Sequence, residues 1–381
     1  MIKFEHIKAI EKSTLEKLEC FWHTDPSKED YIIRDKLLCV SKDEVDAYYK
    51  AGVEIYSMYE EALEYVIKNS MFEELDIDKN LINLIKHSYK HEKQNHLYGR
   101  FDLSGGIDNK DIKLIEFNAD TPTMLLESSI VQAYMLKDSR YKEQFNFIAD
   151  AIEKKIKKMA DKGEYSRFLF SSIDGINEEI YTTKILQKIA KISGVSTNYA
   201  YMKDIYFKDD KVIDKWDNEY DFWFKLYPWE EISLSHPELL KHLDKNLSNF
   251  KTSIVNPAYT LLYQSKGMLK ILSDMFPTSP YLLKTSDKPL DIKCVKKQMF
   301  GREGANIDIL TPKGKVLNNT SGAYGEYKSI YQEYVEFVKD ENNNYFQAGL
   351  FFSDEPCGLA FRVGGEILDD TSKFMGHCVY K

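Results

Sequence analysis

Arg100-Phe101-Asp102 and Glu116-Phe117-Asn118 are two polar–aromatic–polar runs on either side of a turn-rich stretch. Strand side chains alternate faces, so Arg100 and Asp102 share one face, as do Glu116 and Asn118. An antiparallel ladder that sets Asp102 opposite Glu116 also sets residue 100 opposite residue 118. The polar groups then project from one side, and Phe101 and Phe117 point to a core. Two carboxylates and an amide oxygen are hard ligands, suited to Mg2+ that also holds phosphate. Arg100 beside them can neutralise phosphate oxygens. A solvated hairpin face with a cross-strand Arg–Asp pair is the plainer outcome of the same pattern.

Further residues extend this chemistry. Asp120-Thr121-Pro122-Thr123 ends the second strand ahead of a helix. Thr121, Thr123 and nearby N–H groups could hold an anion there, or simply cap the helix. Lys297 ends a strand before Gly301-Arg302-Glu303-Gly304, where glycines admit phosphate close to backbone amides. By itself such a loop is a hairpin turn; neither a Walker A nor a Rossmann fingerprint is present. Lys266 opens a helix as a second cation, solvated by default. Gln332-Glu333-Tyr334-Val335 alternates like an ordinary strand whose backbone edge could meet an adenine ring. Arg362 precedes Gly364-Gly365, a setting suited to a developing oxyanion. Glu230 and Glu231 follow Trp229, where acids beside an aromatic could hold a cationic amine or begin a helix.

These residues need positioning elements. Asp43 to Lys68 carries apolar residues at helical spacing, and a second helical pattern starts at Asn80. Tyr98–Leu103 and Ile112–Ala119 read as a β-hairpin around residues 104–110. One long helical stretch is predicted from Leu125 to Ala160, stopping at Lys162-Gly163. Arg167–Ser172, Asn177–Ile192, Val195–Ala200 and Asp221–Tyr227 form a βαβ-type unit with a short parallel sheet. Beyond Asn256 one helix, Leu261–Met275, precedes strands at 294–300, 305–310, 329–337, 345–352 and 358–363. Their order suggests a largely antiparallel sheet, and the fold class is mixed α/β (α+β).

Composition removes several function classes. The 381 residues carry 52 Lys and Arg against 61 Asp and Glu, a formal charge of −9. That balance argues against a general nucleic-acid or membrane-surface binder. No apolar run reaches membrane-span length, and Met1 to Glu5 does not begin a signal peptide. The five scattered cysteines, without a CxxC pair, suit a reducing compartment, and a cytoplasmic protein is expected. His87 and His91 stand four apart on a helix but lack the Glu of H-E-x-x-H, so they read as a solvated face. No G-x-S-x-G elbow appears.

Taken in order, these pieces resemble the synthetase part of the glutathionylspermidine synthase family, ATP-grasp carboxylate–amine ligases. The resemblance runs from about Tyr98 to His377. It is carried by Gly99–Asp102, Ile115–Thr121, Trp229–Glu231, Gln264–Lys266, Lys297–Ile307, Gln332–Val335 and Phe361–Gly365. It implies an ATP-grasp fold with a pre-ATP-grasp Rossmann-like domain and a helical N-terminal region. The implied boundaries are 1–96 for the helical region, 97–125 with 250–381 for a permuted ATP-grasp domain, and 126–249 for the α/β domain.

The resemblance also implies roles. Asp102, Glu116 and Asn118 would hold Mg2+. Arg100 would stabilise the transferred phosphoryl group, and Arg362 the tetrahedral intermediate. Lys266 and Lys297 would bind ATP phosphates, and the Gly301–Gly304 loop with Arg302 would close over them. Gln332, Glu333, Tyr334 and Val335 would line the adenine pocket. Thr121, Thr123, Glu230 and Glu231 match positions that face the substrates, although the family pattern has Ser where this chain has Thr. The implied activity is ADP-forming ligation of a small or peptide-like acid to an amine. A phosphotransferase or a non-catalytic ATP-binding protein on the same fold is the alternative. Residues 1–96 are too few and too helical for the amidase domain of bifunctional members, and Cys20 with His23 is no substitute. The substrates' identity and the oligomeric state stay open, a homo-oligomer included.

Overall fold

The computed structural model describes residues 2–24, 30–160 and 166–381. The predicted stop at Lys162-Gly163 lies outside them. Lys42–Asn69 is a 28-residue helix started by a capping box: Ser41 Oγ accepts from Glu44 N–H, and Glu44 accepts from Ser41 N–H. Tyr48, Ala51, Ile55, Tyr59, Ala62 and Val66 form its buried stripe. Tyr59 packs against Phe101 and Phe117, so this helix backs the hairpin.

The hairpin belongs to an antiparallel six-stranded sheet. Its main order is Lys373–Met375, Glu355–Gly364, Tyr345–Ser353, Gly99–Ser104 and Lys113–Asn118, with Val338–Lys339 pairing Tyr345–Ser353. A five-stranded antiparallel sheet holds Thr285–Ser286, Ser329–Glu333, Cys294–Gln298, Asp308–Leu310 and Val316–Asn319 in that order. A four-stranded parallel sheet runs Ser253–Val255, Phe222–Leu226, Arg167–Ser172 and Ser196–Tyr201. Asn177–Ile192 is the crossover helix of that unit. One apolar cluster fills the space between the long helix and the hairpin sheet, and a second lies under the parallel sheet.

Four readings need correction. The single helix over 125–160 is instead a π-helical turn Glu127–Val131, a short helix Gln132–Leu136, a connection, and the helix Ile148–Ala160. The connection is held by distant partners: Gln144 Nε2 donates to His377 O, and Phe147 N–H donates to Cys357 O. The helix over 261–275 breaks at Ser265-Lys266 into Thr260–Gln264 and Gly267–Met275. The strand over 329–337 ends at Glu333, leaving 334–337 as a connection. The region 1–96 also carries strands Phe4–His6 and Lys36–Ser41, which form a sheet with His377–Tyr380. Among the described residues no helix is long and apolar enough to cross a membrane.

Candidate active site

The hairpin register is Arg100 opposite Asn118, Phe101 opposite Phe117 and Asp102 opposite Glu116, with a bulge just after Asp102. Phe101 and Phe117 stack at 4.0 Å on the core side. On the other side the Arg100 Nε and Nη2 donate to the two Asp102 carboxylate oxygens, at 2.6 and 3.1 Å. Its Nη1 donates to Thr123 O at 2.9 Å. Arg100 is therefore aimed by its own strand and by the turn leaving the hairpin.

Two lysines converge on Glu116. Lys266, freed by the break between the two helices, reaches Glu116 Oε2 at 3.2 Å and Gly301 O at 2.6 Å. Lys297 donates to Ile115 O at 2.7 Å and to Gln332 Oε1 at 2.8 Å, and Gln332 Nε2 donates to Leu114 O. Burial pushes the Glu116 carboxyl up, but Lys266, Lys297 and Arg100 overcome it and hold the group at about 2. Burial pulls Lys297 down to about 7, with Lys266 repelling and Glu116 attracting.

The glycine loop runs from this centre toward the parallel-sheet unit. Arg302 Nη1 donates to Thr121 Oγ1 at 2.8 Å, and Nη2 donates to Glu230 Oε1 at 2.5 Å. The Arg302 side chain thus crosses to the residues expected to face substrate. Gly304 has φ +67°, and a Cβ there would stand 2.4 Å from Leu368 O, so the loop requires glycine.

Two adjoining clefts result. One is lined by Lys266, Lys297, Gly301, Gly304, Gln332, Glu333, Tyr334 and Val335, with Val295, Ile309 and Leu368 as apolar wall. The other is lined by Arg100, Asn118, Thr121, Thr123 and Glu231, with Tyr31, Glu178, Glu179, Tyr227 and Tyr324. Glu116, Arg302, Glu303 and Arg362 border both. Arg362 donates to Asp369 O at 2.5 Å and reaches this boundary from the strand Glu355–Gly364. The structure gathers the predicted residues around one place. Asp102 and Glu230 are set back from the cleft walls: Asp102 behind Arg100, Glu230 behind Arg302.

Several residues here escape sequence reasoning. Gln347, cross-strand partner of Arg362, lines the first cleft with its Oε1 buried and unpartnered. Glu178 and Glu179 open the helix Asn177–Ile192, where acids read as ordinary dipole partners. Burial raises the Glu179 carboxyl to about 7, with Arg302 opposing. Gln264 Oε1 accepts from the N–H groups of Ala119 and Asp120 and so fixes the hairpin's exit. Nothing local in the sequence marks Gln347; Gln264 stands in the Gln264–Lys266 run that carries the resemblance, but the hairpin contact it makes is not readable there.

Among the described residues no three His, Cys, Asp or Glu side chains gather as a metal cluster. Glu116 and Asn118 do face the cleft with oxygen donors. Mg2+ commonly takes one or two carboxylates and completes its shell with phosphate and water. The donor set fits that ion once a nucleotide brings phosphates, and it does not fit an all-protein cage.

A family model described as glutathionylspermidine synthase preATP-grasp matches residues 3–380. A Haemophilus influenzae protein assigned as an acid–amine ligase is 28% identical over 351 residues, covering 88% of this chain and 87% of that protein. The bifunctional glutathionylspermidine synthetase/amidase of Escherichia coli is 25% identical over 311 residues, covering 74% of this chain and 49% of its own length. Among solved structures, a glutathione synthetase-like effector from Globodera pallida superposes with a TM-score of 0.56. It shares 8% identity and covers 97% of this chain and 98% of the effector, a likeness of fold alone.

Proposed function

The chain belongs to the glutathionylspermidine synthase family, and from that premise we propose that it is an ATP- and Mg2+-dependent, ADP-forming carboxylate–amine ligase. The carrying observation is that a cleft holding Lys266, Lys297 and the Gly301–Gly304 loop and an acid-rich cleft meet at Glu116, Arg302, Glu303 and Arg362. In this reading residues 97–125 and 250–381 supply the ATP-grasp lobes, and 126–249 the acceptor side.

A carboxylate resists attack by an amine at neutral pH, so it must first become an acyl phosphate. Lys266 and Lys297 hold the nucleotide phosphates. Glu116 and Asn118 hold Mg2+, which when bound offsets charge on the transferring phosphoryl group. Asp102 keeps Arg100 pointed at the same oxygens. Arg362 steadies the oxyanion formed when the amine attacks. Glu178, Glu179 and Glu231 suit a cationic amine, and Glu179 can take its proton near neutrality. The substrates are then a peptide-like acid bound near Thr121 and Thr123, and a basic amine opposite it.

Screening acid–amine pairs for ADP and free phosphate tests this. Phosphate release that needs both partners supports the ligase. A phosphorylated acceptor without free phosphate would make the protein a phosphotransferase instead.

A further inference from the structure

The sheet formed by the first and last strands carries chemistry that ligation does not use. Lys36–Ser41 runs parallel to His377–Tyr380, with Cys39 the register partner of Cys378. Partners in adjacent strands present side chains to the same face. The cores agree: Leu37, Cys39 and Cys378 join one apolar cluster, whereas Leu38 and Val40 join the other. The two Sγ atoms stand 3.8 Å apart. Adjacent strands lie about 4.8 Å apart, inside the roughly 4.4–6.8 Å Cα separation of disulfides. Cys39 also borders a solvent-open cleft with Lys3, Ser41 and Tyr380. Among the described residues no other two thiols are in contact, and Cys20, Cys294 and Cys357 are buried free cysteines.

We propose that Cys39 and Cys378 form a reversible dithiol site oxidised by low-molecular-weight disulfides. Cys39 is the first nucleophile. The Cys378 thiol donates to it and favours its thiolate, as Lys3 and Arg140 do, against burial and Glu5. Cys378 is pushed the other way by the same bond and by burial. The Cys39 thiolate attacks one sulfur of the small disulfide; a Cys39–S–SR bond forms and one thiolate leaves. Cys378 then gives up its proton and attacks Cys39 Sγ, expelling the second thiolate. One disulfide is reduced to two thiols as the protein dithiol is oxidised. The new bond ties the strand that feeds the Lys42–Asn69 helix to the chain's last strand, across 339 residues of sequence. So long a closed loop restricts the unfolded chain.

Hydroxyethyl disulfide, small and neutral, is the probe, applied to the native full chain. Thiols are counted after unfolding. The five thiols of the chain fall to three in wild type, dithiothreitol restores them, and the thermal midpoint of the oxidised form is higher. Cys378→Ser stops at a mixed disulfide carrying one mercaptoethanol group on Cys39, and Cys39→Ser keeps all its thiols. Peptide mapping of oxidised wild type finds Cys39 linked to Cys378, a readout that needs no variant to fold. Retention of all five thiols, or a bond between any other pair, overturns the proposal.

Discussion

At Lys297 a buried amine faces Gln332 Oε1, Ile115 O and the Glu116 carboxylate rather than water. Burial brings it to about 7, against about 10.4 in solution. Nucleotide phosphates favour the ammonium and push the group back up. On the proposed reading, ATP binding between about pH 7 and 9 is expected to take up a proton, with affinity declining as pH rises through that window. Calorimetric titrations at pH 8 in buffers of different ionisation heat measure the uptake, and Lys297→Met removes it. A binding heat independent of buffer would take the Lys297 charge out of nucleotide recognition. The residues of this site are legible in sequence only through the ordered runs that carry the family resemblance; singly, the Gly loop reads as a hairpin turn and Lys266 as a solvated cation. Gln347 is not legible, because only the ladder that pairs it with Arg362 brings it to the cleft.

A buried ion pair helps join the hairpin to the parallel unit. Asp120, at the hairpin exit, accepts from Lys225 Nζ at 3.3 Å and from Trp229 N–H at 3.0 Å. Both charged side chains are 0% exposed, and Lys225 also lies 4.1 Å from the Trp229 ring centroid. Removing one partner leaves a buried charge uncompensated, a loss of about 3–5 kcal/mol. Asp120→Ala is expected to destabilise by that amount in urea unfolding, and Asp120→Ala with Lys225→Met to recover most of it. A neutral single substitution would show that the contact does not secure these elements. The hairpin itself is readable from sequence, since period-two alternation and a Gly-Gly turn agree. The stretch after Leu125 is misread because its apolar residues keep helical spacing across the break. What breaks it is Gln144 reaching His377 O and Phe147 reaching Cys357 O, both more than two hundred residues away. A window of local sequence holds no trace of those partners.

Across the whole molecule, the five-stranded sheet supplies Lys297 and Gln332, the hairpin sheet supplies Arg100, Glu116 and Arg362, and the parallel unit supplies Glu178, Glu179 and Glu231 to the two adjoining clefts. Arg302 links the Gly loop to Thr121 and Glu230, which lie 181 and 72 residues away in sequence. In the proposed reaction that link has one physical task. An acyl phosphate hydrolyses wherever water reaches it, so the loop must stay shut until the amine attacks. Arg302 is partly buried, and its bond to Glu230 is charge-assisted, so it can hold the loop against the acceptor cleft. Arg302→Ala is expected to free the loop without emptying the nucleotide cleft of Lys266 and Lys297. Phosphate release then outruns amide formation, and the ratio of the two products, near one in wild type, rises several-fold. Glu230→Gln keeps a weaker, neutral bond and should fall between wild type and Arg302→Ala. Measuring both products in the same assay separates this effect from a general loss of rate. If the ratio stays near one while turnover falls, Arg302 serves the transferring phosphoryl group directly, and the barrier to water lies in another part of the chain.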